Sequence, residues 1–467
     1  MLINGWSSRQ VDFVMAYPQA DIECEMFMEV PQGFNVEGSR KDYCLRLRKN
    51  LYGQKQAGRV WNQYLHDGLI ARGFVQSKVD MCVYYRGSVV LLIYVDDGIF
   101  IGPNQGDIDA AYELLANQFV DSQGGKHRPF NMTSEGNLAD YLGVSIDCFP
   151  NGLIKLSQPH LVQQIIDDLG MKDSTKPQQT PVAPTVKLHR DVAGAPYNEA
   201  WHYRSVVGKL NFLEKSTRLD IAYAVHQCAR FAAEPKESHA AVLKKIGRYL
   251  VGTKDKGMVL NPRQHSFDCF VDADFAGNWD RVHSDVDPST AKSRTGYVIM
   301  YGGCPVVWAS KLQREVALST TEAEYAALSE SLREVINLMQ LLDESKEQLQ
   351  WVTTKKAPVV HCKVFEDNSG ALEMGKLPKM RPRTKHICVR LHHFREHVRL
   401  GRISLHKISS RYQFADIATK PQPTDLFESQ RESLMQWEAE LATAEQLQQP
   451  AKHLRACDVS ACDDNFL

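Results

Sequence analysis

The stretch Val89-Val90-Leu91-Leu92-Ile93-Tyr94-Val95-Asp96-Asp97-Gly98-Ile99-Phe100-Ile101 constrains this chain more than any other. Two apolar runs rich in β-branched residues flank a Tyr-Val-Asp-Asp-Gly core. They read as a buried β-hairpin whose turn carries both aspartates. Asp-Gly is a favoured turn pair and by itself means little more than a turn. These flanks, however, are too apolar for an exposed ribbon, so two adjacent carboxylates stand on the lip of a core. Like charges there call for cations, and an oxygen cluster of this kind suits Mg²⁺. A third carboxylate is therefore expected from elsewhere in the chain.

Asp12 meets that expectation. It is embedded in Gln10-Val11-Asp12-Phe13-Val14-Met15-Ala16-Tyr17, which reads as a short apolar strand. A carboxylate there is costly unless it is paired or metal-bound. With Asp96 and Asp97 it makes an acid triad, followed by an aromatic at Tyr17, the pattern of a polymerase palm.

Further motifs follow in order: Leu51-Tyr52-Gly53-Gln54-Lys55-Gln56-Ala57-Gly58-Arg59-Val60-Trp61, then the hairpin, then Tyr141-Leu142-Gly143. In this order and spacing the chain resembles the reverse transcriptase of copia-type (Pseudoviridae) LTR retrotransposon polyproteins, and the match extends to about residue 425. The resemblance implies that Asp12, Asp96 and Asp97 bind two Mg²⁺ ions, with Mn²⁺ as a substitute. These would serve attack of a primer 3′-hydroxyl on the α-phosphorus of a dNTP. It further implies that Tyr17 is the sugar gate, that Tyr52 and Gly53 lie beside the incoming nucleotide, and that Leu142 and Gly143 form the primer-gripping turn. Trp61, Tyr64 and Leu65 read as the core face of an amphipathic helix. Relatives carry a basic fingers segment ahead of the first aspartate. Only a few residues precede Asp12 here, so the expectation is a palm lacking that segment.

A chain of 467 residues exceeds one ordinary core, so several units are expected. Leu156 to Leu169, with Pro159 near its start and Gly170 closing it, reads as a helix that the resemblance places in the thumb. Residues 173 to 198, rich in Pro, Thr, Gln and Lys, read as a linker. Helical periodicity returns from Tyr203 to Leu250, the connection segment by resemblance. There Leu219 replaces the family's usual Pro within Thr217-Arg218-Leu219-Asp220.

From about residue 263 short strands alternate with helices. Strands are expected at Phe270–Gly277, Thr295–Met300, Pro305–Ala309 and His361–Asn368. A helix capped by Ser319 or Thr320 should open near Glu322, and another near Asp416. Acids at strand ends and helix starts are common one by one. Together, Asp272, Glu324, Asp367 and Asp416 resemble the four carboxylates of a ribonuclease H domain. The resemblance implies a second two-Mg²⁺ site that hydrolyses RNA in an RNA–DNA hybrid. Asp274 and Glu322 fall beside that pattern rather than on it.

The formal charge of −1 means that any nucleic-acid affinity must come from local patches. One patch runs from Lys376 to Lys407 and includes Arg381, Arg383, Lys385, Arg390 and Arg395, with Glu396 the one acid. A run this unopposed, beside an acid-built nuclease site, is expected to track phosphates. Its histidines have no cysteine pair to support zinc binding, and the 11 cysteines show no CxxC, so reduced thiols are expected. Cys388 stands where relatives carry Asp or Asn. Beyond Pro423 the sequence reads as a polar tail without motif, partly disordered.

The expected fold is thus α+β and multidomain: palm (1–150, fingers truncated), thumb (151–185), connection (186–260), a ribonuclease H-like α/β domain (261–425) and tail (426–467). The expected partners are RNA template, DNA primer, RNA–DNA hybrid, dNTPs and other products of the retrotransposon polyprotein, with no membrane span. The resemblance implies a cytoplasmic, virus-like-particle setting with nuclear passage. The alternative is a degenerate retroelement fragment that binds nucleic acid, with ribonuclease H activity at most.

Overall fold

The computed structural model describes residues 2–149, 152–172, 174–198, 200–262, 264–349, 360–376 and 392–438. The fold is mixed α/β and divides into two units. One comprises Met1–Leu138 with Gln340–Ala357, the other Ala139–Met339 with Pro358–Leu467.

The first unit begins with β1 (Ser7–Phe13) and a helical turn, α1 (Ala16–Gln19). A short ribbon of β2 (Phe27–Glu29) and β3 (Cys44–Arg46) precedes α2 (Ala57–Ala71). Strands β4 (Val75–Gln76), β5 (Val83–Arg86), β6 (Val89–Tyr94) and β7 (Asp97–Gly102) follow. The unit continues with α3 (Gln105–Ala116), the small pair β8 (Phe119–Val120) and β9 (Lys126–His127), and β10 (Met132–Gly136). One antiparallel sheet in the order β10-β1-β7-β6-β5-β4 organises them. Its strands alternate buried and exposed residues because α2 and α3 supply the apolar cover. Phe13, Trp61 and Phe130 meet edge-on in that core, Phe13 and Trp61 with centroids 5.5 Å apart. The last turns of the long helix that ends at Gln348 also belong here, where the Glu344 carboxylate accepts from the Ser77 hydroxyl and, at 2.8 Å, from the Lys78 amide.

Two local expectations need correction. The hairpin forms, but its two-residue turn is Val95-Asp96, and Asp97 already pairs with Tyr94 as the first residue of β7. The first strand ends at Phe13 rather than running to Tyr17. Met15 takes φ 51° and the chain turns into α1, where Pro18 could not extend a ladder.

The second unit opens with β11 (Asp140–Tyr141), β12 (Val144–Cys148), β13 (Ile154–Ser157) and α4 (Pro159–Asp168). Helices α5 (Tyr203–Ser216), α6 (Ala222–Ala229) and α7 (Glu237–Val251) follow, then β14 (Met258–Leu260). Strands β15 (Phe267–Asp274), β16 (Arg294–Tyr301) and β17 (Cys304–Leu312) lead to α8 (Thr320–Gln348). The remainder is β18 (Cys362–Glu366), α9 (Ser369–Lys376), α10 (Arg395–Arg399), β19 (Ile403–Lys407), α11 (Asp416–Thr419) and α12 (Thr424–Met435). Strands β11 to β14 form one small sheet, and a five-stranded sheet runs β17-β16-β15-β18-β19. The first three strands of the larger sheet are antiparallel neighbours; β18 and β19 join parallel to β15.

Residues 174–198 lack regular helix or strand, yet they are not a free linker. Val182, Leu188 and Tyr197 are buried in the unit's core, and the His189 carbonyl pairs with His239 Nε2 at 2.9 Å. The polar composition beyond Pro423 also misleads. α12 buries Phe427, Leu434 and Met435, and the Trp437 indole donates to the Gly257 carbonyl at 2.6 Å. A periodic apolar stripe within a polar sequence is enough to dock a helix. Among the described residues no helix is long and apolar enough to cross a membrane.

Candidate active sites

In the first unit, β1 and β7 pair in antiparallel register with Asp12 opposite Asp97. The Phe13 amide donates to the Asp96 carbonyl at 2.7 Å, tying the strand end to the turn. All three acids therefore gather at one end of the β1–β7–β6 ladder, partly exposed. Burial, then Asp96, then Glu135 on neighbouring β10 raise the proton affinity of Asp12. Asp97 is likewise pushed up by burial and by Asp96 and Asp12. Such mutual repulsion is what a cation would relieve.

Tyr17, on the α1 turn, lays its ring against that of Tyr52 with centroids 4.5 Å apart. Burial, then Asp96, raises the Tyr52 phenol pKa, so the aromatic pair lies within the field of the acids. Gly53 follows in the loop before α2. Trp61 has a role that its apolar periodicity did not announce: its indole N–H donates to the Val95 carbonyl at 2.6 Å and holds the hairpin turn.

In the second unit, Leu142 (φ 51°) and Gly143 (φ 74°) are the two-residue turn between β11 and β12. Two positive φ values in a two-residue loop match strand twist, and Gly takes one of them without cost.

The larger acid cluster comes from the parallel pairing of β15 with β18. The paired register ends with Phe270 opposite Phe365; Asp272 lies two residues further along β15, and Asp367 is the residue that follows the end of β18. α8 delivers Glu324 from its first turns. Its start is fixed by Ser319, whose hydroxyl accepts from the Glu322 amide at 3.2 Å, while the Glu322 carboxylate accepts from the Leu318 amide at 2.8 Å. Glu322 is thus a capping residue. Oxygens of Asp272, Glu324 and Asp367 all lie within 4.8 Å of one another. Asp272 and Glu324 are 3% and 6% exposed, and the Ser410 hydroxyl donates to Asp367 at 2.8 Å.

Asp416 arrives from α11, which packs on β16 because Gly296 has no side chain there. A Cβ at Gly296 would stand 2.4 Å from the Thr419 methyl. Thr419 donates its hydroxyl to Asp272. Lys420 places its ammonium 2.9 Å from Asp416 and 3.8 Å from Asp272. The sequence reading missed Lys420, although its i, i+4 spacing from Asp416 on a helix was a usable signal.

The electrostatics divide the cluster. Burial, then Glu366, Asp272 and Asp367, push the Glu324 carboxyl up to about 11. Burial and Asp272 push Asp416 up to about 7 against the pull of Lys420. Burial works against the Lys420 charge, yet Asp272 and Asp416 prevail and raise its pKa. Glu366, fully buried, is a fifth carboxyl that the sequence reading passed over in favour of its neighbour Asp367. Only oxygen donors converge here, and Glu324 Oε2 is buried without a hydrogen-bond partner, so the set fits a hard divalent cation.

Of the expected nucleic-acid-binding residues, Arg381, Arg383, Lys385 and Arg390 lie outside the described residues. Arg395 donates to the Tyr325 hydroxyl at 3.0 Å and to the Met374 carbonyl at 2.6 Å, bracing α8 and α9.

The family described as reverse transcriptase (RNA-dependent DNA polymerase) matches residues 2–184. A retrovirus-related Pol polyprotein from transposon TNT 1-94 of Nicotiana tabacum is 34% identical over 430 residues, 90% of this chain and 30% of that protein. The corresponding polyprotein from transposon RE1 of Arabidopsis thaliana is 33% identical over 431 residues, 91% of this chain and 27% of that protein. An uncharacterized mitochondrial protein of Arabidopsis thaliana is 32% identical over 240 residues, 51% of this chain and 90% of that protein. The chain thus spans less than a third of the length of the two polyproteins. Residues 2–184 therefore belong to the reverse transcriptase family, and about nine-tenths of the chain is similar to the Pol polyproteins of copia-type retrotransposons.

Proposed function

We propose that this chain is the reverse transcriptase and ribonuclease H portion of a copia-type Pol polyprotein. It carries out RNA- and DNA-templated DNA synthesis in its first part and hydrolyses RNA of RNA–DNA hybrids in its last. The observation that carries the reading is the convergence of Asp272, Glu324 and Asp367, whose oxygens lie within 4.8 Å of one another, together with a separate Asp12–Asp97 cross-strand pair. On this reading the chain divides into palm (1–150), thumb (151–185), connection (186–260), ribonuclease H (261–425) and tail (426–467). Its partners are template, primer, hybrid, dNTPs and other polyprotein products. Its setting is a cytoplasmic virus-like particle with nuclear passage.

Asp12, Asp96 and Asp97 would hold divalent cations in one site, and Asp272, Glu324, Asp367 and Asp416 in the other. Bound Mg²⁺ supplies charge neutralisation of attacking and leaving oxygens. The chain's own residues do the rest. Tyr17, braced on Tyr52, excludes a 2′-hydroxyl by bulk. Trp61 fixes the turn that presents Asp96, and Leu142-Gly143 grips the primer. Ser410 orients Asp367, and Lys420 holds its ammonium against Asp416. The basic stretch around Arg381, Arg383, Lys385 and Arg390 follows hybrid phosphates.

One contrast favours a narrower second reading, a hybrid-binding fragment with ribonuclease H activity at most. Among the described residues, the acids whose oxygens lie within 4.8 Å of one another are Asp272, Glu324 and Asp367, not the Asp12 set. One labelled RNA–DNA hybrid with Mg²⁺ and dNTPs, followed on a gel for both cleavage and extension, tests both readings. Cleavage with extension is expected. Cleavage alone supports the narrower reading, and neither product sinks the enzyme assignment.

A further inference from the structure

Glu366 is the last residue of β18 and is completely buried. Its Oε1 accepts from the Asn368 amide at 2.9 Å, while its Oε2 is buried with no hydrogen-bond partner. The groups whose charges it feels most are Asp272 and Asp367, and it is in turn the strongest neighbour acting on Glu324. Among the described residues Lys420 stands 2.9 Å from Asp416, and the charges that act most on Glu366 are those of carboxylates. A folded chain gains nothing from such a group by itself, because an apolar side chain of similar volume would fill the space without an orphaned oxygen. The arrangement has a use if something positively charged and hydrated enters the cluster. Mg²⁺ gives up its waters reluctantly, so a site that holds it needs acceptors for those waters beyond the direct ligands.

We propose that Glu366 is a positioning residue of the second-unit centre, its Oε2 accepting from the hydration shell of a divalent cation held by Asp272, Glu324 and Asp367. The proposal rests on reading that centre as a metal-dependent nuclease, and it adds a residue that the four-carboxylate pattern does not contain.

The test is thermal unfolding of the full chain titrated with Mg²⁺, in an Asp12→Asn/Asp96→Asn/Asp97→Asn background so that the first unit's three acids contribute no shift. Glu366→Gln keeps the shape and removes the charge. The Mg²⁺ concentration giving half the maximal rise in Tm should increase roughly tenfold or more, while the metal-free Tm holds or rises. A midpoint equal to that of the Glu366 parent overturns the proposal. Glu366→Met, matched in volume, provides the same reading if the Gln variant does not fold, and its midpoint must move in the same direction. Hybrid cleavage by the unmutated chain is scored separately. Cleavage with an unmoved Mg²⁺ midpoint in both variants rejects Glu366 and keeps the nuclease. A moved midpoint in a chain that never cleaves hybrid keeps Glu366 as a cation-positioning group and rejects the nuclease.

Discussion

Trp61 donates its indole N–H to the Val95 carbonyl at 2.6 Å, joining the core of α2 to the tip of the acid-bearing hairpin. Val95 has φ 59°, a left-handed conformation that a β-branched residue rarely adopts. Two hydrogen bonds hold the turn there: this one, and the Phe13 amide on the Asp96 carbonyl. The strain is thus overdetermined by its surroundings, as strained functional turns generally are.

Trp61→Phe keeps a ring against Phe13 and removes the donor. Stability should fall by about 0.5–1.5 kcal/mol, the net contribution of one hydrogen bond whose acceptor can turn to water. Urea unfolding measures this, and primer extension should suffer more than hybrid cleavage. Equal losses in both assays would mean that the bond serves general stability only.

Asp367→Asn should abolish hybrid cleavage because the cluster with Asp272 and Glu324 loses one of its ligands. Hybrid binding, measured by fluorescence anisotropy, should stay within a few-fold and weaken steeply as salt rises. Asp12→Asn should do the converse, removing extension and leaving cleavage.

Replacing Tyr17 with Ala removes the ring stacked on Tyr52. Ribonucleotide incorporation should rise relative to deoxynucleotide incorporation in primer extension. Unchanged selectivity would reject the gate.

The pH dependence has a definite sign. Asp416, pushed up to about 7, and Glu324, pushed up to about 11, hold protons in the folded chain at pH values where unfolded carboxyls have lost them. The folded state therefore binds more protons, and stability falls as pH rises. In EDTA the Tm should drop from about pH 5 to about pH 8. Mg²⁺ should flatten that slope, and a flat profile in EDTA would contradict the burial of the cluster.

Gly296→Ala puts a methyl where the Thr419 methyl now sits. Overpacking of this kind costs about 1–3 kcal/mol. It should displace α11, and with it Asp416 and Lys420, so cleavage should fall further than Tm alone explains. Wild-type cleavage in the variant would show that α11 tolerates the shift.

Much of the local structure was legible because short-range pattern dictates it. The β-branched runs around Asp96 and Asp97 could only be buried strands, and the apolar stripe of α2 could only be a helix facing a core. Ser319 announced the start of α8 through capping chemistry that spans three residues. Boundaries were less legible. The turn fell on Val95-Asp96 because the register of β6 on β7, not the preference of Asp-Gly, set the loop.

What the sequence determined by itself is therefore the set of strands and helices and the acids they carry, since periodicity and capping act within a few residues. Tertiary structure alone decided which acids meet. Asp272 meets Asp367 because β15 pairs in parallel with β18, strands far apart in the chain, and no local pattern encodes such a register. The same holds for Glu366, whose burial follows from the face that β18 turns inward. It holds too for Arg395, which composition assigns to a phosphate-tracking run but packing gives to Tyr325 and Met374. Charge and burial are properties of neighbours in space, and folding chooses those neighbours.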